Sequence, residues 1–246
     1  MHQATKNVLK KMTFKSLNLD AAIIDLDGTM VDTMGDFVEA INLMLRDLGL
    51  SPVGETVVAL RVGKGSENLV NSVITHALNQ SKKARAAPKN IVDAKKALAL
   101  FQQHYGAVIG RHAHVYPGVV DGLLALQRSR LKLACLTNKP VGFARELLRL
   151  KGLDGFFNHV FGGDSFEAKK PHPMPVLMTC EALGTRPTRT LVVGDSSNDA
   201  QAAHSAGCPV VLVTYGYNHG QPVASAGADA TISSLMQLSP LLGLKG

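Results

Sequence analysis

Four short apolar runs govern what this chain can fold into: residues 21–25 (AAIID), 131–137 (LKLACLT), 190–195 (TLVVGD) and 209–214 (PVVLVT). They are near-continuously hydrophobic rather than alternating, the pattern of strands in a parallel sheet covered on both faces. Helical patterns separate them, at residues 118–129, 142–152, 173–184 and 198–207, the last three ending in Gly152, Gly184 and Gly207 as natural stops. In residues 142–152, Phe143, Leu147 and Leu150 are expected on one apolar face. Strands alternating with helices predict an α/β fold, a doubly wound parallel sheet.

Between the first and second runs the pattern changes. Residues 36–49 carry Phe37, Ile41, Met44 and Leu48 at helical spacing before Gly49, and residues 66–80 and 92–106 read the same way. An all-helical cap inserted after the first strand is therefore expected. The predicted division is a basic N-terminal arm at 1–20, a core of 21–32 and 115–246, and a helical cap at 33–114.

Charge narrows the partners. The chain of 246 residues has a net charge of +7, concentrated in the arm and in residues 81–96, but no tryptophan. Neither basic stretch interleaves aromatics with its lysines, so nucleic-acid binding is not expected; a solvated basic face is, along with attraction for small anions. No apolar run reaches the roughly 18 residues of a membrane span, and the N-terminus lacks the apolar stretch of a secretory signal. Three cysteines without a CxxC pair suit a reducing compartment, so a cytoplasmic protein, monomer or homodimer, is expected. Cys135 reads as a small buried hydrophobe.

Chemistry collects where the strands end, because in open parallel sheets ligands bind outside the carboxyl ends. The first run ends in Asp25-Leu26-Asp27-Gly28-Thr29, the second in Thr137-Asn138, the third in Gly194-Asp195-Ser196-Ser197-Asn198-Asp199, and Lys170 precedes Pro171 between the last two. Residues i and i+2 leaving a strand point to the same side, so Asp25 and Asp27 can share one small site. Two neighbouring carboxylates repel unless a cation sits with them. Mg²⁺, a hard ion that takes oxygen ligands and keeps several waters, is the expected cofactor. Carboxylates, a hydroxyl and an ammonium on one crevice form a set suited to phosphoryl transfer. Gly28 allows close backbone approach, so that the N–H groups of the backbone there can bind phosphate oxygens.

In their order, DLDGT (25–29), LTN (136–138), KKPHP (169–173) and GDSSND (194–199) resemble the motifs of the haloacid dehalogenase superfamily of phosphatases. The resemblance covers nearly the whole chain after residue 20. It implies Asp25 as a nucleophile that forms an aspartyl-phosphate and Asp27 as general acid and base. It further implies Thr137 and Asn138 as holders of phosphoryl oxygens and Lys170 as the neutralising cation. Mg²⁺ would be held by Asp25, Asp195 and the Asp27 carbonyl, with Asp199 orienting from behind. Asp199 and Asp32 also have a plainer reading, as carboxylates at helix starts.

Residues 60–70 (LRVGKGSENLV) and 213–223 (VTYGYNHGQPV) are similar to the phosphoglycolate phosphatase-like group of that superfamily. The expected reaction is thus hydrolysis of 2-phosphoglycolate to glycolate and phosphate, with Lys64 or the Gly63 and Gly65 amides meeting the substrate carboxylate. Lys64 as a merely solvated charge is the rival reading. A sugar-phosphate phosphatase or phosphomutase of the same superfamily is the alternative, and a non-catalytic phosphate or metal sensor a distant one. The lysine-rich residues 81–90 match no feature of the family. His112 and His114 read as a surface pair, and GKGSEN lacks the spacing of a phosphate loop.

Overall fold

A computed structural model of the chain describes Phe14, residues 17–83 and residues 93–244. Most of the basic arm, and the lysine-rich segment from residue 84 onward, lie outside the described residues. The first apolar run forms strand β1 (Ala21–Ile24), buried throughout. Beyond it come a two-residue strand β2 (Val31–Asp32) and helices α1 (Met34–Asp47), α2 (Glu55–Ala59), α3 (Ser66–Lys83) and α4 (Ala94–Val108). Strand β3 (His114–Val115) then brings the chain back, and helix α5 (Val119–Arg128) follows. The rest alternates: β4 (Lys132–Leu136), α6 (Val141–Leu150), β5 (His159–Phe161), α7 (Met174–Leu183), β6 (Thr190–Gly194), α8 (Ser197–Ala206), β7 (Val210–Val213), β8 (Ala230–Ile232) and α9 (Leu238–Leu242).

Six strands form one sheet in the order β5-β4-β1-β6-β7-β8, every pairing parallel. Alternate residues of each strand face opposite sides. Ala22, Ile24, Leu133 and Val193 share a cluster with Leu123 of α5 and Leu147 of α6. Ala21, Ile23, Ala134 and Val192 share another with Val176 of α7 and Ala203 of α8. Both faces are thus covered, which is why the strands read as unbroken apolar runs. From β1 the chain builds outward through β4 to β5, then crosses to β6 on the other side. The switch in strand order lies at the carboxyl end of β1, where Asp25 follows.

Helices α1 to α4 hold an apolar cluster of their own, which includes Phe37, Ile41, Met44, Val73, Phe101 and Tyr105. The two strands that lead into and out of this layer pair antiparallel, Val31 opposite Val115 and Asp32 opposite His114. One expectation is corrected. Leu150 of α6 is 44% exposed, and the buried face is formed by Ala144, Leu147 and Leu148 instead. The contact stripe is rotated by about one residue, because α6 lies on the sheet and not under the helical layer alone. Among the described residues no helix is long and apolar enough to cross a membrane.

Candidate active site

The strand-end residues meet in one cavity between sheet and helical layer, lined by Asp25, Asp27, Thr137, Asn138, Lys170, Asp195 and Asp199 from below. Its free room is about 40 Å³.

Lys170 is the hub. Its buried ammonium donates to Asp25 Oδ1 at 2.9 Å, Asp199 Oδ1 at 2.6 Å and the Leu136 carbonyl at 2.8 Å, which uses all three of its donors. Burial works against its charge, but Asp199 and Asp25 outweigh that and hold its pKa above the usual lysine value. Lys170 therefore stays charged. Asn138 sets its place: the Asn138 amide donates to the Lys170 carbonyl at 2.8 Å, and its Oδ1 accepts from the Lys170 N–H at 3.0 Å. Asp199 serves two elements at once. Its Oδ2 accepts from the Ser196 N–H and hydroxyl, closing the capping box of α8, while its Oδ1 holds Lys170. Asp199 thus stands at the start of α8 and also touches Lys170. Asp32, likewise, accepts from the Met34 N–H at the start of α1 and from the Tyr217 hydroxyl at 2.6 Å.

Carboxylate oxygens of Asp25, Asp195 and Asp199 lie within 4.8 Å of one another, all three side chains buried. Burial raises the Asp25 pKa to about 7; Asp199 and Asp27 add repulsion, which Lys170 opposes. Burial, then repulsion from Asp199 and Asp25, also pushes Asp195 well above the carboxylate range. Such a group calls for a further positive charge. The packing leaves room for Asp195 by omission: a Cβ on Gly28 or Gly216 would overlap its carboxyl. Gly28 has φ +82°, a conformation that glycine adopts without strain. The Gly28 N–H itself donates to the Val31 carbonyl at 2.9 Å, and the missing Cβ supplies space for Asp195. The Asp27 carboxylate stands outside this cluster and accepts from the Thr33 hydroxyl at 2.8 Å and from Lys139.

The helical layer closes the cavity through Gly63, whose carbonyl accepts from Asn138 at 2.9 Å and from Asn198 at 3.2 Å. Gly63 and Gly65 line the cavity, whereas Lys64 is exposed and does not. The Lys64 charge acts on His219 instead: burial first, then Lys64, lowers the imidazole pKa.

Sequence reasoning missed the other cation. Lys139, its side chain 3% exposed, donates to both Asp27 oxygens, at 2.7 and 3.0 Å. Its ammonium also sits 4.5 Å from the Phe37 ring centre and 4.7 Å from that of Tyr105. The signal was present: the i, i+2 spacing that pairs Asp25 with Asp27 also pairs Thr137 with Lys139. Tyr217 was missed too; its N–H donates to Asp195 Oδ2 at 2.6 Å, and nothing in its neighbours' spacing announces that. Cys135 is buried, and burial pushes its thiol pKa up, so it stays a neutral hydrophobe. His112 pairs with Glu39 at 2.7 Å, away from the cavity.

Known proteins agree with this arrangement. The sequence pattern of the haloacid dehalogenase-like hydrolases matches residues 22–213. A Cupriavidus necator protein named phosphoglycolate phosphatase, plasmid, is 43% identical over 231 residues, covering 94% of this chain and 96% of its own. A Thiobacillus denitrificans phosphoglycolate phosphatase is 39% identical over 221 residues, 90% and 94% of the two chains. Among solved structures, a predicted phosphoglycolate phosphatase from Haemophilus somnus superposes with a TM-score of 0.85 at 33% identity, covering 92% of this chain and 99% of the other. Buried strand-end carboxylates around one lysine, and these likenesses over most of the length, lead to one conclusion: the chain belongs to the haloacid dehalogenase-like hydrolase family, as a phosphatase-type enzyme similar to the phosphoglycolate phosphatases.

Proposed function

We propose that the protein hydrolyses 2-phosphoglycolate to glycolate and phosphate through an aspartyl-phosphate on Asp25, with Mg²⁺ as cofactor. The observation that carries this reading is the Lys170 hub, because it joins Asp25 and Asp199 by 2.9 and 2.6 Å contacts in a small closed cavity.

Asp25, Asp195 and the Asp27 backbone carbonyl would hold the ion, and Asp199 would keep Lys170 in place behind them. Bound there, Mg²⁺ would offset the crowded negative charge and so keep Asp25 ionised for attack. A carboxylate oxygen of Asp25 forms the bond to phosphorus while the ester oxygen leaves with a proton from Asp27. Water then attacks the phosphorus of the aspartyl-phosphate and gives a proton to Asp27, which releases phosphate and restores both carboxyl groups. Thr137 and the Asn138 backbone would hold phosphoryl oxygens, and Lys170 would neutralise the charge that builds on them. The helical layer acts as a cap: it opens to admit substrate and closes to keep bulk water out until the phosphoryl group has moved. The 2-phosphoglycolate assignment takes its support from relatives of that name at 39–43% identity. Three free cysteines fit a cytoplasmic setting.

The test is phosphate release from a panel of phosphomonoesters that includes 2-phosphoglycolate, with and without Mg²⁺. Release should depend on Mg²⁺, favour 2-phosphoglycolate and vanish in Asp25→Asn. Unchanged release by that variant would remove Asp25 as the nucleophile, and an isomerised sugar phosphate in place of free phosphate would mark a phosphomutase.

A further inference from the structure

The cavity holds two buried lysines with different degrees of engagement. Lys170 is saturated, its three donors satisfied by three acceptors. Lys139 is not: among the described residues its hydrogen-bond acceptors are the two oxygens of Asp27, and the rest of the ammonium, which offers three N–H groups, faces the Phe37 and Tyr105 rings. Beside it stands a second unfinished group. The Tyr105 hydroxyl is buried and has no hydrogen-bond partner, and its ring carries the Lys139 ammonium at 4.7 Å. Burial, reinforced by Asp27 and Asp36, pushes the phenol pKa well up, so the hydroxyl keeps its proton and can donate. A buried donor left without an acceptor costs about 1–3 kcal/mol, and the Tyr105 hydroxyl is one, beside Lys139 at the wall of a ligand cavity.

We propose that Lys139 and Tyr105 form the subsite for a second acidic group on the substrate, a carboxylate attached one carbon from the ester oxygen. The inference rests on the hydrolase reading above and assigns the residues that select among its phosphomonoesters. Distance supports it. In that reading the ester oxygen sits at hydrogen-bond range from the Asp27 carboxyl, and Asp27 lies 2.7–3.0 Å from the Lys139 ammonium. Two such bonds in series put the ammonium within about 6 Å of the ester oxygen. A carboxylate one carbon further along the substrate reaches roughly 3 Å from that oxygen, which closes the gap to a direct contact.

Chemistry supports it as well. The helical layer lines the cavity mainly with Phe37, Val62, Leu69 and Phe101, and its polar lining side chains are Ser66 and Tyr105. An uncharged leaving group would place at most a neutral acceptor against the ammonium, while a carboxylate brings the opposite charge and accepts from both it and the phenol. Phe37 and Tyr105 come from the helical layer and Lys139 from the loop after β4, so the subsite is complete only when the two layers are together. Lys64, outside the cavity, has no part in it.

The experiment compares kcat/KM for 2-phosphoglycolate and 2-hydroxyethyl phosphate, which keeps the two-carbon frame and replaces the carboxylate with an alcohol. The wild type should prefer 2-phosphoglycolate by on the order of a hundredfold. Lys139→Met also takes the counter-charge from Asp27, so it should slow both esters but 2-phosphoglycolate far more, removing nearly all of that preference, and Tyr105→Phe should narrow it about tenfold. Lys139→Arg, which keeps the charge, should retain part of it. Wild-type enzyme should also be inhibited by glycolate and not by ethylene glycol, a measurement that needs no variant to fold. Equal losses on both esters in Lys139→Met, or a wild type indifferent to the carboxylate, would overturn the subsite and leave the hydrolase standing. Release of phosphate from neither ester would overturn both.

Discussion

Lys170 illustrates how one side chain can hold a site together. Its ammonium lies between two carboxylates that are almost completely buried, and removing one partner of such a group leaves the other charges uncompensated. Lys170→Met is therefore expected to destabilise the metal-free fold by about 3 kcal/mol or more, read as a lower urea midpoint, besides abolishing turnover. A stability loss under about 1 kcal/mol would mean that the carboxylates find another counter-charge. At this scale the sequence was informative where spacing ties a side chain to a strand end. Asp25, Asp195, Asp199 and Lys170 meet as the motifs imply. Lys139 escaped notice although its i, i+2 spacing from Thr137 was legible, because the spacing alone does not show the aromatic rings of α1 and α4 that enclose its charge. Gly28 was read for close approach of the backbone to a phosphate; that its missing Cβ also makes room for Asp195 is revealed only by the position of Asp195.

Elements were legible in proportion to their burial. β1, β4, β6 and β7 are apolar nearly throughout, so they announce themselves. β5 and β8 have three residues each, lie at the sheet edges and are half-buried or partly exposed; nothing in their composition separates them from loops. α2, five residues with one buried side chain, was equally silent. The segment after α2 matters more than its length suggests, since the Gly63 carbonyl receives both Asn138 and Asn198. Asn198→Ala removes one of those closing bonds without touching Lys170. We expect KM for the substrate to rise several-fold and kcat to change less than twofold, as a weakened closing contact of about 1 kcal/mol would give. A matching fall in kcat with unchanged KM would instead assign Asn198 to the chemical step.

For the whole molecule, the crowded carboxylates make stability depend on pH and on cations. The folded Asp25 carboxyl has a pKa of about 7 against 3.8 for the free group. Between those values the folded state binds more protons than the unfolded one. Stability is therefore fully present near pH 4 and below, and is lost as pH rises through 7. Asp195 acts in the same direction. Metal-free protein should lose on the order of 2–4 kcal/mol between pH 5 and 8, seen as a falling melting temperature in chelator. Added Mg²⁺ should restore the melting temperature at pH 8 more than at pH 5. Melting that rises with pH in chelator would contradict this charge arrangement.

The paired strands β2 and β3 have a consequence for modular design. Where Asp32 stands opposite His114, the outgoing and returning backbones are about 5 Å apart. Everything between them is a detour that begins and ends at almost one point, so a foreign segment of any length with similarly close ends could be spliced there without stretching the sheet. Such a chimaera would keep the strand-end carboxylates and Lys170 and change what covers them.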